Sequence, residues 1–307
     1  MAVTAQMVKE LREMTGAGMM DCKKALVEVD GNIEAAVDYL KEKGLAKAAK
    51  KAGRVAAEGL VKIAFSDDHK TAAIVEVNSE TDFVSKNEEF VEFVENLAKL
   101  ALTAESNDIE AFKAMSFEDS TVQDVLTAKI AKIGENMSIR RIEKASGDVV
   151  TSYIHGGGRI GVIVDADTDV VNDDVKEAMH NIAMQIAALY PKYVATSDVS
   201  EEYKAHEKEI IAAQIEQDSK MAGKPEKVIE GAILGRLNKE LKEVCLLEQV
   251  YVKAEDGKQT VAQYIAQVAK ENNATISIQK FVRFETGEGL EKKQEDFAAE
   301  VAAQMAK

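Results

Sequence analysis

Cysteine is scarce in this chain. Only Cys22 and Cys245 occur among 307 residues, far apart and in no CxxC or repeated spacing. That excludes a disulfide framework and a cysteine-based zinc site, and it predicts a reducing cytoplasm. Long apolar runs are missing too, and no stretch of 18 apolar residues appears anywhere. The first twenty residues lack a positively charged start followed by an apolar segment and a small-residue cleavage site. Together these absences predict an aqueous compartment and no membrane partner.

Positive charge is in deficit, with 39 Lys and Arg against 54 Asp and Glu, a net of -15. Such a chain repels phosphate backbones at long range, so no direct nucleic acid partner is expected. The deficit is uneven. Residues 1–54 carry ten basic against eight acidic side chains, and within residues 41–54 the ratio is six to one. That local excess suits an acidic protein surface better than a grip on DNA or RNA.

Reactive constellations are also lacking. The four histidines, His69, His155, His180 and His206, form no HExxH or His/Cys ligand spacing, and no nucleophile is paired with a base. His180 and the two cysteines read as packing residues. Gly156-x-Gly158-x-x-Gly161 has the letters of a dinucleotide fingerprint, but its last glycine opens a strand, not a helix, so a permissive hairpin turn explains it. Asp165-Ala166-Asp167-Thr168-Asp169 begins like a calcium loop. Val170 then stands where the turn glycine belongs and Lys176 where the bidentate glutamate belongs. Gly223-Lys224 and Gly257-Lys258 are followed by Pro225 and Gln259, so neither completes a phosphate loop. No cofactor and no metal are expected.

The chain is rich enough in apolar residues, at 46 %, to build two or more domains. Thr4 is placed to cap a helix running to about Met14. Thr15-Gly16-Ala17-Gly18 breaks it, Met19 to Glu28 is helical again, and Asp30-Gly31-Asn32 turns into a third helix from about Ile33 to Lys43. Leu45 to Glu58 reads as a solvated linker. Strands follow at Leu60 to Phe65 and Thr71 to Val77, then Ser85-x-x-Glu88 as a capping box for a helix with Phe90, Val91, Val94, Leu97 and Ala98 on one face. A helix from Thr121 to Ile133 and a strand at Ser138 to Ile142 complete an α+β block.

The same order recurs at an offset of 87 residues. Val75-x-Val77 with Thr81-Asp82-Phe83-Val84 aligns with Val162-x-Val164 and Thr168-Asp169-Val170-Val171. Weaker echoes link Thr121-Val122 to Thr260-Val261 and Ser138-x-Arg140 to Ser277-x-Gln279. An internal duplication is the reading. The second copy has a hairpin, Val149 to Ile154 and Arg159 to Val164, and a helix from Asp173 to Leu189. An inserted helical hairpin follows, Ser200 to Ser219 and Glu226 to Leu241, reversed at Ala222-Gly223-Lys224-Pro225. Strands near Leu247 to Val252 and Thr275 to Phe284 return to the sheet, and Phe297, Val301 and Met305 give a final short helix an apolar edge.

A few residues stand outside these periodic patterns. Phe83 lies between a strand end and a helix, so its ring is either a plug for the chain's own core or an exposed anchor. Asp82 sets a carboxylate beside it, able to disturb a phosphate or magnesium pocket. The second copy keeps the acid as Asp169 but replaces the ring with Val170. Met19 and Met20 suit either an adaptable contact patch or the core of the small bundle; Arg12, Lys23 and Lys24 border them. His155 precedes the glycine turn at a hairpin tip, as an outward side chain or simply as a turn residue.

The stretch from Thr15 to Leu26, with Thr81-Asp82-Phe83-Val84, Ile133-Gly134-Glu135-Asn136, His155-Gly156 and Phe297-Ala298-Ala299-Glu300-Val301, resembles bacterial elongation factor Ts over essentially the whole chain. It departs from that pattern at Gly157, where many relatives carry alanine. The resemblance implies an α+β protein with an N-terminal three-helix domain like ubiquitin-associated domains, two duplicated α+β core subdomains, an inserted antiparallel helical hairpin and a C-terminal helical module. The expected limits are 1–54 for the three-helix domain and linker and 55–145 for the first core subdomain. The second core subdomain takes 146–198 and 245–285 around the hairpin at 199–244, and the module takes 286–307.

The resemblance further implies a guanine-nucleotide exchange factor of translation elongation that binds elongation factor Tu, GDP-bound and nucleotide-free, without a covalent reaction of its own. Asp82 and Phe83, flanked by Thr81 and Val84, are then the wedge. Arg12, Met19, Met20, Lys23, His155 and Gly156 are the partner-binding residues. The competing reading is an interaction scaffold without exchange activity, which leaves the Asp82-Phe83 pair without a role. Self-association through the hairpin stays open beside partner contact.

Overall fold

The computed structural model describes residues 3–219, 221 and 223–291. The expected helix edge of Phe297, Val301 and Met305, and Ala222 of the hairpin turn, lie outside the described residues. The chain divides into two compact units. The first takes the residues up to Lys62, Val75–Ile142 and those from Glu285 onward; the second takes Ile63–Ile74 and Glu143–Phe284.

The first unit opens with three helices, α1 (Ala5–Thr15), α2 (Met19–Glu28) and α3 (Ile33–Ala49). Thr4 caps α1 by accepting from the Met7 N–H, and Asn32 caps α3 by accepting from the Ala35 N–H. Gly16 ends α1 in a left-handed conformation, φ 63°, as the Thr-Gly-Ala-Gly break anticipates. Val8, Leu11, Cys22, Ala25, Leu26 and Ala36 close a small core. The third helix is longer than the sequence suggests. It continues past Lys43 to Ala49, so the first part of the expected linker is helical. A further contact accounts for this: α3 packs on α7 (Val122–Ile133), and a Cβ on Gly44 would touch the Ala131 methyl at 3.6 Å.

Strands β1 (Glu58–Phe65) and β2 (Thr71–Ser79) are joined by a turn closed by the Ser66 N–H donating to the Thr71 carbonyl at 2.9 Å. After them come α4 (Asp82–Ser85) and α5 (Glu88–Ala101), α6 (Ile109–Lys113), and a two-residue ribbon of β3 (Ser116–Phe117) with β4 (Ser120–Thr121); α7 and β5 (Met137–Ser146) complete the block. The sheet order is β1-β2-β5. Phe90, Phe93, Val94, Leu97 and Ala98 of α5 are buried, while Val91 is only half-buried at the edge of that face. The expected Ser85 cap is wrong. Ser85 ends α4 and donates its hydroxyl to the Asp82 carbonyl, whereas Asn87 caps α5 by accepting from the N–H groups of Glu89 and Phe90. The short α4 inserted before Asn87 shifts the start of α5 by two residues.

In the second unit, β6 (Val149–His155) and β7 (Ile160–Thr168) pair antiparallel from Val149 opposite Ala166 to His155 opposite Ile160. The helix α8 (Asp173–Leu189) follows with its Asn172 cap, then the hairpin α9 (Glu201–Glu216) and α10 (Glu226–Val244), then α11 (Val261–Glu271) and β8 (Ile276–Glu285). The order β6-β7-β8 reproduces that of the first sheet. Val162, Val164 and Ala166 of β7 pack against Met179, Ile182 and Ile186 of α8 and Val261, Ile265 and Val268 of α11. The hairpin has its own core of Ile211, Ile215, Leu237 and Leu241 with Val199 and Cys245.

Two expectations fail in this unit. Leu247 to Val252 is no sheet strand: Leu246–Glu248 forms a 3-10 turn and Val250 makes a single bridge to Thr260. Gln185 claims the backbone here, accepting from the Val252 N–H and donating to the Val250 carbonyl, so the segment cannot offer a ladder. His180 is exposed instead of packed. It lies edge-on to Tyr153, with its Nδ1 2.9 Å from the Ser152 carbonyl. Both cysteines are buried, and burial pushes the Cys245 thiol up.

Candidate functional site

β2 ends at Ser79, and the next residues must leave the sheet without a strand partner. Thr81 stands at the N-cap position of α4 in extended conformation, φ -127°, yet its hydroxyl does not cap that helix. Both its donors go to one carboxylate: the Thr81 N–H donates to Glu135 Oε2 at 3.0 Å and the Thr81 hydroxyl to Glu135 Oε1 at 2.7 Å. Glu135 follows Gly134, the left-handed C-cap of α7 at φ 91°. The exchange is reciprocal, since the Asn136 N–H donates to Glu80 Oε1 at 2.5 Å and the Asn136 amide nitrogen donates to the Arg54 carbonyl at 2.8 Å.

On this base, α4 buries Val84 and turns Phe83 outward. The Phe83 ring is 79 % exposed and Val84 only 6 %. The choice left open by the sequence is thereby decided in favour of an exposed ring, which forgoes the roughly 1.5–3 kcal/mol that burying it would bring. Asp82 is exposed as well. Its carboxylate accepts from Lys86 Nζ at 2.6 Å, and that hydrogen bond holds it below the usual carboxylate range. The pair therefore presents an apolar ring beside a fixed negative group. In the second unit the aligned residues do something else: Asp169 accepts from the Thr275 N–H at 2.7 Å, and Val170 is half-buried.

On the three-helix bundle, Met19 and Met20 are 60 % and 64 % exposed, with Arg12, Lys23 and Lys24 also at the surface. Gly18 opens α2 without a side-chain cap, Met20 lies on the helix side away from Cys22, and Met19 stands in the first turn beyond the core that Cys22, Ala25 and Leu26 fill. Met14 and Val27 are exposed too, which the sequence reading missed. Their helical spacing alone does not separate a contact face from a core face.

In the second unit, His155 is exposed at the end of β6, and its carbonyl accepts from the N–H groups of Gly158 and Arg159. Gly156, Gly157 and Gly158 have φ of 60°, 66° and 105°, angles that glycine alone adopts freely in succession. Tyr153 fixes the imidazole from below, with its hydroxyl 3.0 Å from His155 Nδ1.

Among the described residues no cluster of His, Cys, Asp or Glu is arranged to hold a metal ion, and no helix is long and apolar enough to cross a membrane. The residue the sequence reading used only as part of a matching stretch is Glu135. It lies 54 positions from Thr81, beyond any local spacing signal.

Residues 80–288 match the family model described as Elongation factor TS, and residues 3–40 match the UBA/TS-N domain. Elongation factor Ts of Clostridioides difficile (strain 630) is 53 % identical over 305 residues, covering 99 % of each chain. Elongation factor Ts of Clostridium novyi (strain NT) is 53 % identical over 308 residues, again covering 99 % of each chain. That of Clostridium botulinum (strain Eklund 17B / Type B) is 51 % identical over 308 residues, with 99 % of this chain and 100 % of the relative covered. With a three-helix start, two three-stranded sheets of the same order and matches over nearly its whole length, the chain belongs to the elongation factor Ts family.

Proposed function

We propose that this chain is a cytoplasmic guanine-nucleotide exchange factor for elongation factor Tu in translation elongation, and that it drives GDP release by intruding Phe83, with Asp82 beside it, near the GTPase's magnesium and phosphate site. The observation that carries the reading is the 79 % exposed Phe83 ring on a four-residue helix that is anchored from beneath. An aromatic left in water at the cost of its burial energy is available to another protein.

The chain works as an exchange factor and carries out no covalent reaction of its own, and the mechanism calls for no cofactor. Exchange factor and nucleotide each weaken the other's hold on the GTPase, and by linkage that coupling is reciprocal. Docking energy comes from Met19 and Met20 with Arg12 and Lys23 at their border, and from the His155-Gly156 turn. Phe83 supplies the volume that separates elements around the ion, while Asp82 competes with the ion's negative ligands. GDP-bound and nucleotide-free elongation factor Tu are both bound along this path.

The test loads elongation factor Tu with a fluorescent GDP, adds the chain and follows release against excess unlabelled GDP. Accelerated release that Phe83→Ala slows supports the reading. Binding with an unchanged release rate replaces it with the scaffold.

A further inference from the structure

We infer that Glu135 positions Phe83, so that exchange depends on a carboxylate that holds the backbone two residues before the ring. The inference rests on the wedge reading and deepens it. A four-residue helix cannot hold its own shape, because helix nucleation costs more than one turn of hydrogen bonds returns. The exposed ring adds no packing energy to fix it. Apart from the local bonds of Ser79 to Thr81 and of Ser85 and Lys86 to Asp82, the helix is restrained by the buried Val84 side chain below and by Glu135, from a distant part of the chain, at the N-terminal end.

The geometry around Glu135 is that of a clasp. Glu135 takes the N–H and hydroxyl of Thr81, while Glu80, the residue before Thr81, takes the N–H of Asn136, the residue after Glu135. Each chain segment thus supplies a carboxylate to the other's backbone, and charge-assisted bonds of this kind are about twice as strong as neutral ones. Glu135 is itself placed by the end of α7, where Gly134 reverses the chain.

The second copy shows what remains when half of this arrangement is absent. There Asp169 accepts from the Thr275 N–H, but the Thr168 N–H goes to Asp148 and the Thr168 hydroxyl turns back to Val170. No outward ring follows: Val170 stands at the aligned position, half-buried. The reciprocal clasp occurs where an exposed aromatic has to be aimed.

The experiment measures steady-state exchange on GDP-loaded elongation factor Tu with the full chain carrying Glu135→Ala, Glu135→Gln, Phe83→Ala or Phe83→Ala with Glu135→Ala. Glu135→Ala is expected to lower kcat about ten- to hundredfold, the penalty for a misplaced group, with KM changed less than about twofold. Glu135→Gln keeps the shape and one acceptor and is expected to recover part of the loss. In the Phe83→Ala background Glu135→Ala is expected to add nothing, since both substitutions remove one event. Amide hydrogen exchange at Lys86 and Asn87, whose N–H groups close the turn on the Phe83 and Val84 carbonyls, should speed up in Glu135→Ala and Glu135→Gln while the α5 core stays protected.

Full losses that multiply in the double variant, or unchanged amide exchange at Lys86 and Asn87, overturn the positioning role. If Phe83→Ala slows exchange and Glu135→Ala does not, the positioning role alone falls. If Phe83→Ala itself leaves exchange intact, the wedge reading falls and takes this inference with it.

Discussion

Phe83 and Val84 are neighbours in the chain and face opposite surroundings, the ring 79 % exposed and the valine 6 %. Their substitutions should therefore separate stability from exchange. Phe83→Ala is expected to change unfolding free energy by less than about 0.5 kcal/mol, as at other surface positions. Val84→Ala should cost roughly 2 kcal/mol by emptying a packed position. Urea denaturation of both variants checks the contrast, and a large loss from Phe83→Ala would mean that the ring contributes to the fold.

Met19 and Met20 divide function from stability in the same way. Replacing both by alanine should weaken docking to elongation factor Tu about tenfold or more, since flexible thioethers at an exposed patch bind by area and adaptability. The three-helix bundle should melt unchanged. Calorimetric titration with GDP-loaded elongation factor Tu measures the first quantity and thermal unfolding the second.

Glu76 is fully buried and holds the first unit together at one point. It accepts from Arg140 at 3.1 Å, from Arg141 at 2.6 Å, from the Asn78 side chain and from the Gly287 N–H at 2.9 Å. Glu76→Ala takes the shared carboxylate away from two partly exposed guanidiniums that also bind residues 285–288, and losing bonds to a charged group in this way costs about 1.5–3 kcal/mol. Residues 285–288 should loosen at the same time, because Arg141 also binds the Glu285 carbonyl and the Glu288 carboxylate, and Arg140 the Glu288 carbonyl. Limited proteolysis after Glu285 detects it. Gly287→Ala should produce the same cleavage, since at φ 71° its Cβ would stand 2.0 Å from the Ala57 carbonyl oxygen.

Asp165 gives a pH dependence. It is 4 % exposed, with one carboxylate oxygen buried without a partner, and burial raises its pKa despite the Lys280 N–H that it accepts. A raised carboxyl pKa means that the folded chain keeps a proton that the unfolded chain has lost. Stability from this group is therefore present below the unfolded value, about 3.9, and declines as pH rises through the folded value. Asp165→Asn keeps an acceptor for the Lys280 N–H and cannot ionise. It should remove this group's part of the decline with pH. Denaturation curves at several pH values test this.

The elements that sequence reads well here are those that local chemistry closes. α2 and α8 have the limits that their flanking residues signal, Gly18 before Met19 and Asn172 before Asp173, and the His155 turn is announced by three glycines. The misreadings occur where a distant partner intervenes. α3 runs on because α7 covers its last turns, and the segment around Val250 loses its strand to Gln185, 65 positions away. The site divides along the same line: Asp82, Phe83, Met19, Met20 and His155 stand out as residues, while Lys86 and Glu135, which hold two of the groups concerned, do not.

By itself the sequence determined the family, through the stretches that resemble elongation factor Ts, and, because composition, caps and periodicity act over a few residues, the absence of metal and phosphate motifs, the three-helix start and the repeated strand and helix order. Tertiary structure alone decided that Phe83, Met19 and Met20 face outward. An aromatic or a methionine has the same affinity for a core wherever it stands in the chain, and only the space already filled by Val84, Cys22 and Leu26 leaves those side chains to the solvent.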